Sequence, residues 1–226
     1  MIGLPYALRF TVRPELVEGR IQMEHPTDNF IEQLQSILSL RERTVIEQPS
    51  FCRAAVLIPL FKKGKDYHLL FTKRTEQVKH HKGEISFPGG AFDEGDFQLE
   101  KTALREAFEE IGLREEDVQV LGALDDIITR TEFIVTPFVG IFSGYPYPFK
   151  LSPVEIEELI EVPLPRLLDQ GCFGERVIIQ GDSERAVESY QYGKYIIWGA
   201  TARILRQFLE LIPRQVRNSE QGIPES

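Results

Sequence analysis

The sequence predicts an α/β protein with a mixed β-sheet between helical layers. Three observations carry that expectation. Apolar, strand-like runs stand on both sides of an amphipathic helix at 99–111, and a second long amphipathic segment closes the chain. No internal repeat or linker divides the 226 residues.

Taken in order, residues 1–22 lack sustained periodicity, and Pro5 and Pro14 interrupt them. They are expected to be a disordered extension, with the domain starting at Met23 and running to 212. Asn29 can cap a helix with Glu32 three residues on, and Ile31, Leu34 and Leu38 supply its apolar stripe to about Leu40. RAAVLIPLF at 53–61 reads as a buried strand, Lys62–Asp66 with Gly64 as a turn, and 67–73 as the second arm of a hairpin. Beyond the central helix, 118–124 and 135–142 read as strands. Pro137 inside the latter predicts an edge or bulge position.

Residues 143–151 read as a loop whose Tyr145, Tyr147 and Phe149 either stack on an aromatic ligand or pack. PVEIEELIEVPLP at 153–165 reads as an acidic strand, followed by a short helix near 166–170. Short strands at 177–180 and 187–192 suggest a hairpin across 181–184, and 194–211 a closing helix. The polar stretch 213–226 is expected to be a disordered tail.

Composition narrows the function. A hydrophobic fraction of 42% with 15 Phe supplies a substantial core, while 27% charged residues and a net charge of −9 describe an acidic protein. Nucleic acid and anionic membranes favour basic surfaces and are set aside as partners. A phosphate-bearing substrate would meet like charge, which metal ions and a local basic cluster would offset. Cys52 and Cys172 lack metal or redox spacing and read as free thiols in a reducing, cytoplasmic compartment. No apolar run approaches the ~18 residues of a membrane span.

The chemistry concentrates in Gly89–Leu113, GGAFDEGDFQLEKTALREAFEEIGL. Leu104, Ala107, Phe108 and Ile111 recur at i, i+3, i+4 and i+7, a stripe expected to face the core. Glu106, Glu109 and Glu110 fall off that stripe, with Glu106 and Glu110 one turn apart. A solvated helix face is the bland reading of such a run. A divalent cation gives it a purpose, because hard cations such as Mg²⁺ take one or two carboxylates plus substrate phosphates. The Gly-Gly turn lets backbone approach a ligand closely.

The pattern G-x5-D-x8-R-E-A-x-E-E-x-G-L resembles the Nudix box, G-x5-E-x7-R-E-U-x-E-E-x-G-U with U aliphatic. Gly90, Arg105, Glu106, Glu109, Glu110, Gly112 and Leu113 fit. Asp96 stands where the box has Glu, and eight residues rather than seven separate it from Arg105. Upstream, LLFTKRTEQVKHHKGEISFPGG at 69–90 resembles the L-T-x-R-[SA]-x3-R-x3-G-x3-F-P-G-G signature of the coenzyme A pyrophosphatase branch of Nudix hydrolases. Arg74, Gly83 and Phe87-Pro88-Gly89-Gly90 fit. Thr75 replaces the small Ser or Ala, and Lys79 replaces the second Arg, keeping charge but losing the planar fork.

The resemblance implies an α/β/α sandwich and Mg²⁺- or Mn²⁺-dependent hydrolysis of a diphosphate. Coenzyme A or acyl-CoA would give 3′,5′-ADP and (acyl-)4′-phosphopantetheine. Glu106 and Glu110 would be metal ligands, Glu109 a further ligand or base, and the Gly89 or Gly90 carbonyl would complete the shell. Arg105 would hold Glu109 from one turn away. Arg74, Lys79 and Lys82 would bind phosphates, with Phe87 and Gly90 also on the substrate side. A further carboxylate is expected from downstream, among Glu155, Glu157 and Glu158. His80-His81 is not expected to ligate metal in oxygen-based chemistry. Two rivals stay open: a Nudix activity on ADP-ribose or another nucleoside diphosphate derivative, and a non-catalytic nucleotide-binding Nudix-fold module. The expected partner is a small molecule, and a homodimer is left open.

Overall fold

In the computed structural model the described residues are 29–76, 82–180 and 183–212; the expected extension 1–22 and tail 213–226 lie outside them. The central strand β1 (Cys52–Lys63) is apolar along nearly its whole length because both of its faces are covered. Leu57 and Phe61 point to one core, Ile58 and Leu60 to the other. β1 forms the expected hairpin with β2 (Asp66–Arg74), and two short strands follow, β3 (Ile85–Ser86) on β2 and β4 (Gly89–Ala91) on β1.

Next come α2 (Leu99–Ile111), β5 (Val118–Ala123), β6 (Ile127–Ile128), β7 (Phe133–Phe142) and β8 (Ile156–Pro163), with α1 (Asn29–Leu40) preceding them all. Among the described residues, eight strands make one sheet with the central order β3-β2-β1-β7-β5. β1 and β7 run parallel, and the other pairs in the sheet are antiparallel. A mixed sheet results.

Helix α2 covers one face through Ala103, Leu104, Ala107 and Ile111. The other face carries α1 and α4 (Gly199–Leu211), whose buried Leu34, Leu38, Leu205 and Phe208 share the larger core. A separate three-stranded sheet of β9 (Phe173–Gln180), β10 (Ser183–Tyr192) and β11 (Tyr195–Trp198) precedes α4.

Four expectations change. The closing helix begins at Gly199, because Tyr195–Trp198 pairs with Ser189–Tyr192 as β11. Its aromatic and β-branched residues suit a strand. The short helix α3 (Leu164–Leu168) starts earlier than expected, with Pro165 in its first turn, where the missing N–H is harmless. Asn29 is the first helical residue of α1, and its side chain accepts from Gln33 Nε2 at 2.6 Å.

Pro137 lies in an interior strand, between β1 and β5, with the bulge on its neighbour at Val120/Gly122. It is tolerated because β5 ends there. The Leu124 amide donates to Pro137 O at 2.8 Å, and Arg43 Nη1 donates to Leu124 O at 3.1 Å in place of the amide that proline lacks.

Candidate active site

β4 brings the two glycines onto β1, each for its own steric reason. A Cβ at Gly89 would fall 2.4 Å from Ala55 O and 2.6 Å from Val56 Cα, so only glycine lets these backbones meet. A Cβ at Gly90 would fall 2.4 Å from a Glu106 carboxylate oxygen. One glycine closes the sheet; the other leaves room for an acid.

Helix α2 is turned further than its apolar pattern suggests. Ala103 and Ala107 lie flat against the sheet, and that rotation takes Glu110 inward to 3% exposure. The same rotation leaves Phe108, expected in the core, 56% exposed. Glu110 therefore belongs to the buried face. Its Oε1 accepts from Arg74 Nη1 at 3.3 Å, while Glu110 Oε2 and Arg74 Nε are buried without a partner.

Burial pushes the Glu110 pKa up to about 8; Arg74 and the Gly89 amide pull it down, while Glu106 and Glu155 push it further up. Glu106 also rises, first through burial, against the restraint of Arg105. A carboxylate pair is thus held partly desolvated, each acid facing one guanidinium, Arg105 for Glu106 and Arg74 for Glu110.

Arg105 organises the outer side. Its Nε and Nη2 grip Asp96 at 2.8 and 3.0 Å, Nη1 reaches Glu106 at 2.9 Å and Glu109 at 3.1 Å, and Nη2 also donates to Ala91 O at 3.2 Å. Asp96 is held in turn by Thr102 Oγ1 at 2.8 Å and the Asp93 amide at 3.1 Å. Arg105 foremost holds the Asp96 carboxyl down to about 2. The extra residue between Asp96 and Arg105 is absorbed at Phe97. It adopts φ 60°, ψ −32° while the Gln98 amide donates to Asp96 O at 2.6 Å, a γ-turn of the rare positive-φ hand.

The comparisons with known proteins agree on one family. A model of the NUDIX domain matches residues 52–172. Proteins named uncharacterized Nudix hydrolase NudL, from Citrobacter koseri and Escherichia coli, are 37% and 36% identical over 181 residues, covering 80% of this chain and 91% of theirs. The chain belongs to the Nudix hydrolase family. It is an enzyme of that family, with the Nudix α/β/α fold. Among solved structures, a MutT/nudix family protein from Enterococcus faecalis aligns with a TM-score of 0.49 at 14% identity, over 85% of this chain and 82% of that one.

Within the Nudix box, Glu106 and Glu110 come together across Gly90 and Arg74, whereas Glu109 lies outside, its side chain 55% exposed and paired with Arg105. Glu155 borders the site through its backbone, its O accepting from the amide of Thr75, next to Arg74, at 2.8 Å, and its charge adds a minor part to the rise of Glu106 and Glu110. Glu157 and Glu158 do not join it. Glu157 pairs with Lys73 at 2.6 Å, and Glu158 accepts from the Tyr195 hydroxyl.

Phe87 corrects another expectation. It is 2% exposed and stacked on Phe71 with ring centroids 4.6 Å apart, a core residue that anchors the Gly-Gly strand rather than a substrate contact. Lys82 is exposed, and Lys79 with His80-His81 lies outside the described residues. Tyr145 and Phe149 pack on Phe61 and Phe142, and Tyr147 donates to Asp117 at 2.7 Å, so these aromatics belong to the fold.

Sequence reasoning passed over Asp96 as a departure from the box, yet it is the main anchor of Arg105. The signal was its place before the first turn of α2, with Thr102 six residues on.

Nudix hydrolases generally use divalent metals, and the residues here fit one. Among the described residues no three His, Cys, Asp or Glu side chains form a full ligand set. The donors are instead two carboxylates, one carrying a buried oxygen without a partner. That suits a hard cation that completes its shell with water and substrate phosphate.

Proposed function

We propose that this Nudix hydrolase cleaves the diphosphate of coenzyme A or acyl-CoA, releasing 3′,5′-ADP and (acyl-)4′-phosphopantetheine. The observation that carries the hydrolytic part is the pairing of Glu106 with Glu110, whose Oε2 is buried and unpartnered. Mg²⁺ or Mn²⁺ would be held by these two carboxylates, with the Gly89 carbonyl as an additional donor. When bound, it would neutralise the diphosphate and acidify the attacking water.

The chain's own residues do the positioning. Arg105 fixes Glu106 from one side through its grip on Asp96. Arg74 balances the charge of Glu110. Glu109, the most exposed of the three acids and tied to Arg105, would accept the water's proton as it attacks phosphorus and the anhydride P–O bond breaks. The substrate assignment rests on the upstream motif at 69–90, with Lys79 and Lys82 reading the 3′-phosphate of coenzyme A. We assign catalysis to residues 23–212 and the protein to a reducing compartment; the free Cys52 and Cys172 support the latter. No helix among the described residues is long and apolar enough to cross a membrane.

The test is a panel of coenzyme A, an acyl-CoA, ADP-ribose, NADH and dATP with Mg²⁺ or Mn²⁺. Coenzyme A or its thioester should give the highest kcat/KM, and Lys79→Ala should weaken it more than ADP-ribose. A preference for ADP-ribose would retire the coenzyme A assignment. Nucleotide binding without turnover of any member would retire hydrolysis.

A further inference from the structure

Thr75 sits directly after Arg74, at the point where β2 leaves the sheet, and is 8% exposed. Its hydroxyl donates to Val154 O at 2.7 Å and its amide to Glu155 O at 2.8 Å. The segment it holds, residues 150–155, is a strap lying between α2 and β8. At its other end the Lys150 amide donates to Ile111 O at 2.9 Å and the Ser152 amide to Glu110 O at 2.8 Å. Ser152 O then accepts from the amides of Glu155 and Ile156 at 3.1 and 2.8 Å, which folds the strap back towards β2. The β2–β8 register slips at the same place, with Lys73 opposite Glu158 and Arg74 opposite Ile156. Such bulges re-aim side chains beside sites.

We infer that Thr75 is a positioning residue, whose hydroxyl and amide clamp the strap so that Glu155 stands as the third carboxylate beside Glu106 and Glu110. Two neighbouring residues thereby control two acids. Arg74 answers Glu110 through its guanidinium, and Thr75 sets Glu155 through that residue's own backbone. The strap's own bond from the Ser152 amide to Glu110 O brings that backbone to the end of α2 that carries the box carboxylates. A small Ser at this position would keep the hydroxyl clamp, and an Ala would keep only the amide bond. The inference rests on the hydrolytic reading of the site.

Thr75→Val removes the hydroxyl and keeps the shape; Thr75→Ser keeps the hydroxyl. The two variants and the wild type are compared on coenzyme A with Mg²⁺, and by amide hydrogen exchange across 150–156 in metal-free protein. Thr75→Val should lose about tenfold in kcat, as supporting residues do, with KM nearly unchanged and faster exchange at 154–156. Thr75→Ser should restore both. Glu155→Gln should lower kcat similarly, and adding Thr75→Val to it should cost little more, since the aimed group is already gone.

A Thr75→Val protein with wild-type kcat and exchange overturns the inference, and so do losses that multiply in the double variant. If Thr75→Val fails to fold, Thr75→Ala gives the same hydroxyl-free reading. A wild type inactive on every diphosphate overturns the hydrolytic reading instead, while the exchange contrast still tests the clamp.

Discussion

Arg74 Nη1 stands 3.3 Å from Glu110 Oε1, and behind that contact one buried atom of each partner, Arg74 Nε and Glu110 Oε2, has no hydrogen bond. A buried pair with unmet polar atoms gains little net stability, because desolvation offsets the attraction. The arrangement makes chemical sense if a cation takes the free carboxylate oxygen.

The first prediction concerns stability without metal. The folded chain holds the Glu110 proton up to about pH 8, whereas an ordinary glutamate releases it near 4.5. Between those values the folded state binds more protons than the unfolded one, so stability falls as pH rises and levels off above about 8. In EDTA, the Tm should decline from pH 5 to pH 8, on a scale of about 2–4 °C per kcal/mol for a domain of this size. Glu110→Gln should flatten that decline. Thermal melts across the window check it.

Divalent metal should reverse the trend. Mg²⁺ or Mn²⁺ must displace the Glu110 proton, so the Tm gain on adding metal should be larger at pH 8 than at pH 5. Glu106→Gln and Glu110→Gln should each lose most of the gain. Each should also lose kcat by about 10²–10³-fold, the scale for removing one charge-stabilising group. Calorimetric metal titration and steady-state assays with an intact fold by circular dichroism decide this.

The two glycines should fail differently. Gly89→Ala drives a Cβ into the backbone of Ala55 and Val56, which cannot yield, and should destabilise by about 1–3 kcal/mol. Gly90→Ala meets the carboxylate of Glu106, the movable end of a side chain, and should leave Tm nearly unchanged while lowering kcat. Chemical denaturation beside kinetics separates the two.

Asp96 offers a fourth check. With its folded pKa held down to about 2 by Arg105, it contributes stability that is present above about 3.8 and lost as pH falls towards 2. Asp96→Asn should melt with less pH dependence below pH 4. It should also lose about 10–100-fold in kcat, since Arg105 would no longer be anchored beside Glu106.

The sequence alone determined the family, the sheet between helices, and the carboxylates at issue. Those features are local: a turn of helix sets the Glu106–Glu110 spacing, and strand and helix periods are written in neighbouring residues. What only the tertiary structure decided is how far α2 rotates on the sheet, burying Glu110 and exposing Phe108. It also decided that the Tyr195 hydroxyl engages Glu158 and that Phe87 serves the core. Each depends on contacts between residues distant in the chain, such as Thr75 with Val154, Arg74 with Glu110, and Gly89 with Ala55. Helical or strand periodicity does not encode such pairings, because they are set by which surfaces pack once the sheet has closed.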